Sequence, residues 1–155
     1  IISIIKEREN CKATAIDKSL KALKVAKLNA EMHHVQKKIK FLNIDVDKYL
    51  ANKYDLIVSN PPYIKDIEIL SLNKDVKLNE PKLALSGGKS GLNKVFKVIK
   101  KSQKLLKTNG KLILEIGDKQ SKEVKKYLIK KNFNQIQVFK DLSRKDRCIV
   151  STKAN

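Results

Sequence analysis

Residues 55–66 read DLIVSNPPYIKD, and the interpretation of the whole chain depends on this stretch. An apolar run at residues 56–58 is followed at once by Asn60, two prolines and Tyr63. Proline restricts the residue before it to extended backbone, so Asn60 ends the run and a turn follows. A turn alone requires neither the second proline nor the tyrosine. The stretch therefore indicates a functional turn at the end of a buried strand.

The four residues of this turn suit methyl transfer to a planar nitrogen. Such a nitrogen is a poor nucleophile because its lone pair is delocalised into the amide or the aromatic ring. If the Asn60 side-chain oxygen and the Pro61 carbonyl each accept one N–H, the nitrogen is fixed and its lone pair turns outward. Pro61 and Pro62 stiffen the turn, and the Tyr63 ring lies against the flat face of the acceptor. Transfer from a sulfonium donor then depends on alignment, so no His or Cys nucleophile is needed.

Strands alternate with helices along the chain. Apolar runs predict strands at residues 11–17, 39–45, 54–60 and 110–117, and two closely spaced runs at 135–142 and 147–152 predict an antiparallel edge. Helical spacing covers residues 19–34, 91–107 and about 119–131. This alternation predicts an α/β fold with an open sheet and helices on both faces.

Apolar side chains at helical spacing predict the buried face of each helix. The first face contains Leu20, Leu23 and Ala26, and the second contains Leu92, Val95, Phe96, Ile99 and Leu106. Asn109 and Gly110 are expected to close the second helix. Residues 64–90 show no clear periodicity, and long loops in compact domains are often functional.

Composition limits the classes of protein to consider. A chain of 155 residues, 41% hydrophobic, is expected to form one catalytic domain over residues 1–155. No apolar segment approaches the roughly 18 residues that a membrane span needs, so no membrane association is expected. Cys11 and Cys148 lack metal-ligand spacing, and His33 and His34 are the remaining soft ligands. We expect neither a disulfide framework nor a metal site, and a reducing cytoplasm as the location.

The net charge of +19 raises the question of nucleic-acid binding. Only three of the basic residues are arginines, although arginine is the usual bidentate reader of phosphate and guanine: Arg8, Arg144 and Arg147. The lysines are spread over nearly every polar face. This pattern favours a solvated lysine-rich surface, with a nucleic acid as the second class of partner.

Acidic residues follow two of the predicted strands, where ligands of open α/β sheets bind. Asp17 could accept hydrogen bonds from ribose hydroxyls, and it could equally be a residue that caps the following helix. Asp45 could accept a hydrogen bond from an adenine amine, or it could form a turn at the strand end. The residues themselves leave both alternatives open.

Several segments together carry a resemblance to a known family. They are AID at 15–17, LNID at 42–45, DLIVSNPPYI at 55–64, NEPKLALSGGKSGL at 79–92, GKLILEIG at 110–117 and DLSRKDRCIV at 141–150. Along nearly its whole length the chain resembles S-adenosylmethionine-dependent methyltransferases with an Asn-Pro-Pro-Tyr motif. It is most similar to the protein-(glutamine-N5) methyltransferases of peptide chain release factors.

The resemblance implies a Rossmann-like sheet, S-adenosylmethionine as cofactor and a release factor as protein partner. By the same resemblance, Asp17 binds the ribose, Asp45 and Val46 contact the adenine, and Asn60 lies near the methyl group. Asn60 to Tyr63 would hold the substrate glutamine amide.

The chain departs from the family at its start. The family has a first strand that leads into a glycine-rich cofactor loop, and these 155 residues contain no GxGxG. We therefore expect an incomplete sheet whose missing first strand belongs between the strands that end at Asp17 and Asn60. We also expect that these residues alone do not bind S-adenosylmethionine appreciably.

Two other functions stay open at this point. Adenine-N6 enzymes share the tetrapeptide, although the EP…AL…GG…GL segment separates the chain from them, and 155 residues leave little room for a target-recognition region. The third interpretation is a catalytically dead remnant or a basic binding domain.

Overall fold

A computed structural model describes residues 1–8, 10–50, 53–71 and 81–155, and the chain divides into two compact units, Ile1–Leu50 and Ala51–Asn155. The first unit contains helix α1 (Ile2–Glu7), strand β1 (Ala13–Asp17), helix α2 (Leu20–Met32), a 3₁₀ turn (Gln36–Lys38) and strand β2 (Ile39–Asn43). A single catalytic domain over residues 1–155 stays a prediction.

The second unit begins with strand β3 (Tyr54–Ser59) and two one-turn helices, α3 (Asp66–Ile69) and α4 (Lys82–Leu85). It continues with α5 (Asn93–Leu105), β4 (Leu106–Glu115), α6 (Ser121–Lys130), β5 (Phe133–Lys140) and β6 (Asp146–Lys153). None of the helices in the described ranges has both the length and the apolarity that crossing a membrane requires.

The first unit is a β-α-β arrangement with parallel strands. β1 pairs with β2 from Ala13 opposite Ile39 to Asp17 opposite Asn43. Helix α2 begins after Ser19, whose hydroxyl accepts a hydrogen bond from the backbone N–H of Ala22 at 3.2 Å. The small core of this unit contains Ile5, Ala30, Val35 and Ile39.

Helix α2 lies within the predicted range, but its buried face differs from the prediction at one end. Leu23 is buried as expected, whereas Leu20 is 57% exposed. Leu20 is the first helical residue, and the buried stripe of α2 runs from Leu23 to Ala30.

The second unit contains a four-stranded mixed sheet in the order β3-β4-β6-β5. β3 and β4 are parallel, whereas β6 is antiparallel to both β4 and β5. The α/β class and the antiparallel C-terminal edge are thus confirmed. The core contains the fully buried side chains of helices α5 and α6 and of strands β4 and β6: Val95, Ile99, Val124, Leu128, Leu112, Leu114 and Ile149.

The boundary between α5 and β4 differs from the prediction. The helix ends at Leu105 and the strand begins at Leu106, not at Gly110. Leu106 is fully buried and pairs with Tyr54, and pairing resumes between Leu56 and Lys111. Asn109 has a left-handed φ of 62°. The Asn-Gly pair therefore lies in an irregular segment inside β4 and does not close the helix.

Residues 64–90 contain more regular structure than predicted. α3 and α4 are four residues each, too short to produce a helical periodicity, and Ile64 forms a parallel bridge with Ser86. Residues 72–80 of this predicted loop lie outside the described residues.

Candidate active site

The Asn-Pro-Pro-Tyr turn follows directly on the carboxyl end of β3. Ser59 pairs with Leu114 of the parallel neighbour, so Asn60 and Glu115 come next at adjacent strand ends. Asn60 is exposed, whereas Pro61 is buried. The turn therefore lies at the carboxyl end of the parallel strands, where open α/β sheets bind their ligands.

A pocket of about 160 Å³ opens beside this turn. All four residues of the Asn-Pro-Pro-Tyr turn, Asn60 to Tyr63, line this pocket. The other lining residues are Ile64, which follows the turn, and Ala84 and Leu85 of α4. Five of these seven residues are apolar, and Asn60 and Tyr63 are the two with polar side chains. Apolar walls with a few polar groups are typical of small-ligand pockets.

Backbone hydrogen bonds hold the two walls of the pocket together. The N–H of Ile64 donates to the carbonyl of Leu85 at 3.2 Å, and the N–H of Gly87 donates to the carbonyl of Ile64 at 2.8 Å. Two residues further along the chain, the N–H of Asp66 donates to the carbonyl of Gly88 at 3.2 Å. The Ser86 hydroxyl donates to the Asp66 carboxylate at 2.5 Å. These bonds set the width of the pocket.

The backbone of the Asn-Pro-Pro-Tyr turn is also fixed from behind, by Gln120. Its Nε2 donates to the carbonyl of Tyr63 at 3.0 Å and to that of Gly91 at 3.2 Å, and its Oε1 accepts from the N–H of Gly117 at 3.0 Å. One amide side chain thus connects three segments around the site.

The Tyr63 hydroxyl is engaged on two sides. It donates to Glu115 Oε1 at 3.0 Å and accepts from Arg147 Nη1 at 3.3 Å. Burial, together with the hydrogen bond to the Glu115 carboxylate, raises the pKa of Tyr63 above its ordinary value. Tyr63 is therefore a neutral phenol near neutral pH, which suits contact with the acceptor rather than proton removal.

The sequence interpretation missed three residues of this site: Glu115, Gln120 and Arg147. Glu115 follows the apolar run of β4, so the strand-end criterion applied to Asp17 and Asp45 could have identified it. Gln120 precedes α6 and Arg147 lies on the antiparallel strand β6. No sequence pattern in these two segments pointed to the site.

Asp17 and Asp45 lie at the carboxyl ends of β1 and β2 in the first unit. Both have local turn contacts: Asp17 Oδ1 accepts from the N–H of Ser19 at 2.7 Å, and Asp45 Oδ1 accepts from that of Asp47 at 3.0 Å. The N–H of Ile44 donates to the carbonyl of Asp17 at 3.1 Å, which connects the two strand ends. The cap of α2 is Ser19 itself, so Asp17 supports that cap. Val46, next along the chain, is half-buried.

Removing the Gln120 side chain should loosen the turn without changing the core. We expect Gln120→Ala to lower the free energy of unfolding by about 1–2 kcal/mol, because two partly buried carbonyls lose their donor. Chemical denaturation measures this loss. Gln137→Ala on β5, where the residue is exposed, is the matched control and should change stability by less than about 0.5 kcal/mol. Equal losses in the two variants would contradict a role for Gln120 in holding the turn.

Comparison with solved structures identifies the fold. A methyltransferase from Pyrococcus furiosus superposes with a TM-score of 0.70 at 18% identity, covering 99% of this chain and 68% of that one. An S-adenosylmethionine-dependent O-methyltransferase from Thermotoga maritima gives a TM-score of 0.62 at 14% identity, covering 93% and 50%. At these identities the likeness shows a Rossmann-like methyltransferase fold and nothing finer.

Sequence comparison gives more similar relatives. The chain is 35% identical over 155 residues to a release factor glutamine methyltransferase of Clostridium acetobutylicum, covering 98% of this chain and 54% of the relative. It is 36% identical over 139 residues to one of Thermodesulfovibrio yellowstonii, covering 90% and 50%. A bifunctional methyltransferase of Rickettsia felis is 36% identical, covering 99% and 29%. The chain thus spans about half the length, or less, of these relatives.

A family model provides the assignment itself. The model of the methyltransferase small domain matches residues 1–80, which include β1, β2, β3 and the Asn-Pro-Pro-Tyr turn. The fold of the solved methyltransferases and the sequence relatives agree with it. The chain belongs to the methyltransferase small domain family.

Proposed function

We propose that the protein containing these 155 residues transfers a methyl group from S-adenosylmethionine to the side-chain amide nitrogen of a glutamine in a peptide chain release factor. The observation that carries the proposal is the pocket lined by Asn60, Pro61, Pro62 and Tyr63 at the carboxyl end of β3. The names of the Clostridium and Thermodesulfovibrio relatives support the choice of reaction and acceptor.

The residues of the pocket act by orienting the acceptor amide. Asn60 Oδ1 and the Pro61 carbonyl each accept one N–H of the glutamine amide, which holds the nitrogen with its lone pair directed out of the amide plane. The two prolines keep these acceptors fixed, and the Tyr63 ring packs on the flat face of the amide. The nitrogen forms one N–C bond as the methyl–sulfur bond breaks, and the surplus proton leaves to solvent.

The strand-end acids of the first unit fit a nucleoside. A carboxylate offers about four acceptor sites, so Asp17 retains acceptor capacity for ribose hydroxyls beyond its bond from Ser19. Asp45 and Val46 at the neighbouring strand end would contact an adenine ring. S-adenosylmethionine, when bound, supplies an electrophilic methyl group on a sulfonium. The protein residues need only hold and align the reacting groups.

Mass spectrometry of the acceptor tests the proposed reaction. Release factor incubated with the protein and S-adenosylmethionine should gain one methyl group, which peptide mapping would place on a glutamine. Replacing that glutamine with asparagine should abolish the gain, because the shorter side chain leaves its amide short of Asn60. A methyl group on any other residue type would overturn the proposed acceptor.

The net charge of +19 favours one second candidate, an adenine base of DNA or RNA. An exocyclic adenine amine is also a planar nitrogen with two N–H groups, so the same acceptors would serve it. The two acceptors differ in size and in charge, and a direct competition between them distinguishes the two functions.

A further inference from the structure

Arg147 reaches the candidate site from strand β6. Its backbone carbonyl accepts from the N–H of Ile116 at 2.9 Å, just beyond the end of β4. The Arg147 side chain contacts the same residue, since its Nη1 donates to the Ile116 carbonyl at 3.2 Å. Backbone and side chain of Arg147 are thus both attached to the end of the strand that carries Glu115.

The guanidinium of Arg147 connects three groups with a fixed geometry. Besides Ile116, Nη1 donates to the Tyr63 hydroxyl at 3.3 Å, and Nε donates to Asp141 Oδ2 at 3.2 Å. The guanidinium carbon also lies 5.9 Å from the centroid of the Tyr63 ring, within reach of a cation–π interaction. A planar fork can serve these partners together, and a lysine ammonium has no such fork.

Asp141, the acidic partner of Arg147, is itself held by the loop between β5 and β6. Its Oδ1 accepts from the N–H of Ser143 at 2.9 Å and from that of Lys145 at 3.0 Å. Its own N–H donates to the carbonyl of Lys145 at 2.8 Å, and Arg144 has a left-handed φ of 61° that closes the loop. Three donors lower the pKa of Asp141 and keep its carboxylate ionised. The N–H of Lys145 has the largest effect, and the Arg147 guanidinium and the N–H of Ser143 have smaller ones.

These contacts fix Tyr63 at both ends. At one end, Gln120 donates to the backbone carbonyl of Tyr63. At the other end, the Tyr63 hydroxyl donates to Glu115 and accepts from Arg147. A phenol hydroxyl has one donor and can accept in return, so this pair satisfies it and defines the direction of the C–O bond. These contacts set the long axis of the Tyr63 ring, and the Arg147 guanidinium over its face restricts rotation of the ring plane about that axis.

We propose that Arg147, anchored by Asp141, is a positioning residue that holds the Tyr63 ring against the acceptor. The loop between β5 and β6 thereby controls the geometry of a pocket that it does not line. The inference rests on the proposed function for the identity of the acceptor, and on the contacts of Arg147 for the positioning itself.

The state of the Tyr63 phenol tests the positioning contact without any activity. The chain has four tyrosines, and Tyr63→Phe identifies the Tyr63 signal in a ¹³Cζ NMR titration of the protein. The Arg147 cation lowers the Tyr63 pKa and the Glu115 carboxylate raises it. Arg147→Ala should therefore raise that pKa, and Glu115→Gln should lower it.

A matched variant controls for the loss of charge. Lys130→Ala removes one exposed cation from the C-terminal end of helix α6, away from the loop between β5 and β6, and it should leave the Tyr63 signal unchanged. Arg147→Lys keeps the charge without the planar fork and serves if Arg147→Ala does not fold. A Tyr63 pKa and chemical shift unchanged in both Arg147 variants would overturn the proposal.

Methyl-transfer kinetics test what the positioning does. Arg147→Ala should lower kcat by roughly tenfold to a hundredfold with little change in KM, because misorientation acts on the reacting geometry more than on binding. Asp141→Asn should have a smaller effect of the same kind, and Lys130→Ala should have none. A wild-type kcat in Arg147→Ala would overturn the proposal. If the unchanged protein methylates no release factor, the proposed function fails and the NMR titration alone decides the role of Arg147.

Discussion

Replacing Asn60 with alanine should lower the rate of methyl transfer by about a hundredfold or more while leaving the affinity for S-adenosylmethionine within a few-fold. The Asn60 oxygen is one of two fixed acceptors proposed to hold the acceptor nitrogen, and Pro61 supplies the other. Asn60 follows β3 at the sheet edge and lines the pocket. Loss of one such acceptor leaves the amide free to rotate, so it acts on the chemical step.

Initial-rate measurements and calorimetry separate these two effects of the Asn60 variant. The matched control is Asn134→Ala, the same substitution at an exposed residue of β5, which should retain full turnover. A turnover of Asn60→Ala within about threefold of the wild-type value would contradict the role of Asn60 in orienting the acceptor nitrogen.

The second large effect is expected on stability, at Gly91. This residue has a φ of 74°, and a Cβ added to it would lie 2.6 Å from the carbonyl oxygen of Tyr63. The same carbonyl accepts from Gln120, so backbone and side chain meet closely at this point. Gly91→Ala should lower the free energy of unfolding by about 3 kcal/mol, from left-handed strain of about 1–2 kcal/mol and from overpacking.

Denaturant titration measures the Gly91 effect, with Gly117→Ala as the comparison. The Cβ added at Gly117 meets Gln120 Cδ at 3.1 Å, a contact that a movement of a few tenths of an ångström relieves, and Gly117 has no left-handed φ, so this variant should lose less stability than Gly91→Ala. We also expect Gly91→Ala to lower methyl transfer, because displacing Tyr63 distorts the pocket wall. Similar stabilities for Gly91→Ala and the unchanged protein would show that the packing described around Tyr63 is wrong.

The strands and main helices were predictable because their sequence patterns are long and regular. Val95 and Ile99 lie one helical turn apart and are both fully buried, as their spacing predicts. The end of α5 was not predictable, because Asn109 and Gly110 are typical of a helix end and also of an irregular strand. The pairing of Leu106 with Tyr54 decided the outcome, and that contact joins residues far apart in sequence.

The candidate site was predictable where its residues end a strand or belong to the turn that follows β3. Asn60 and Glu115 follow apolar runs, so both are accessible to the same criterion. Arg147 is different, because its partners Tyr63 and Asp141 are reached only after β6 has paired antiparallel to β4 and β5. Its role depends on tertiary pairing, and a short run such as RCIVST does not encode where its first side chain points.

A competition between two acceptors tests the central claim most directly. The protein that contains these 155 residues is incubated with methyl-labelled S-adenosylmethionine and an equimolar mixture of release factor and an adenine-containing oligonucleotide, and both acceptors are then separated and counted. The low salt needed for oligonucleotide binding is kept the same throughout, since the +19 charge favours that acceptor under these conditions. We predict label in the release factor, on a glutamine, and loss of that label with Asn60→Ala. Label in the oligonucleotide alone would contradict the account.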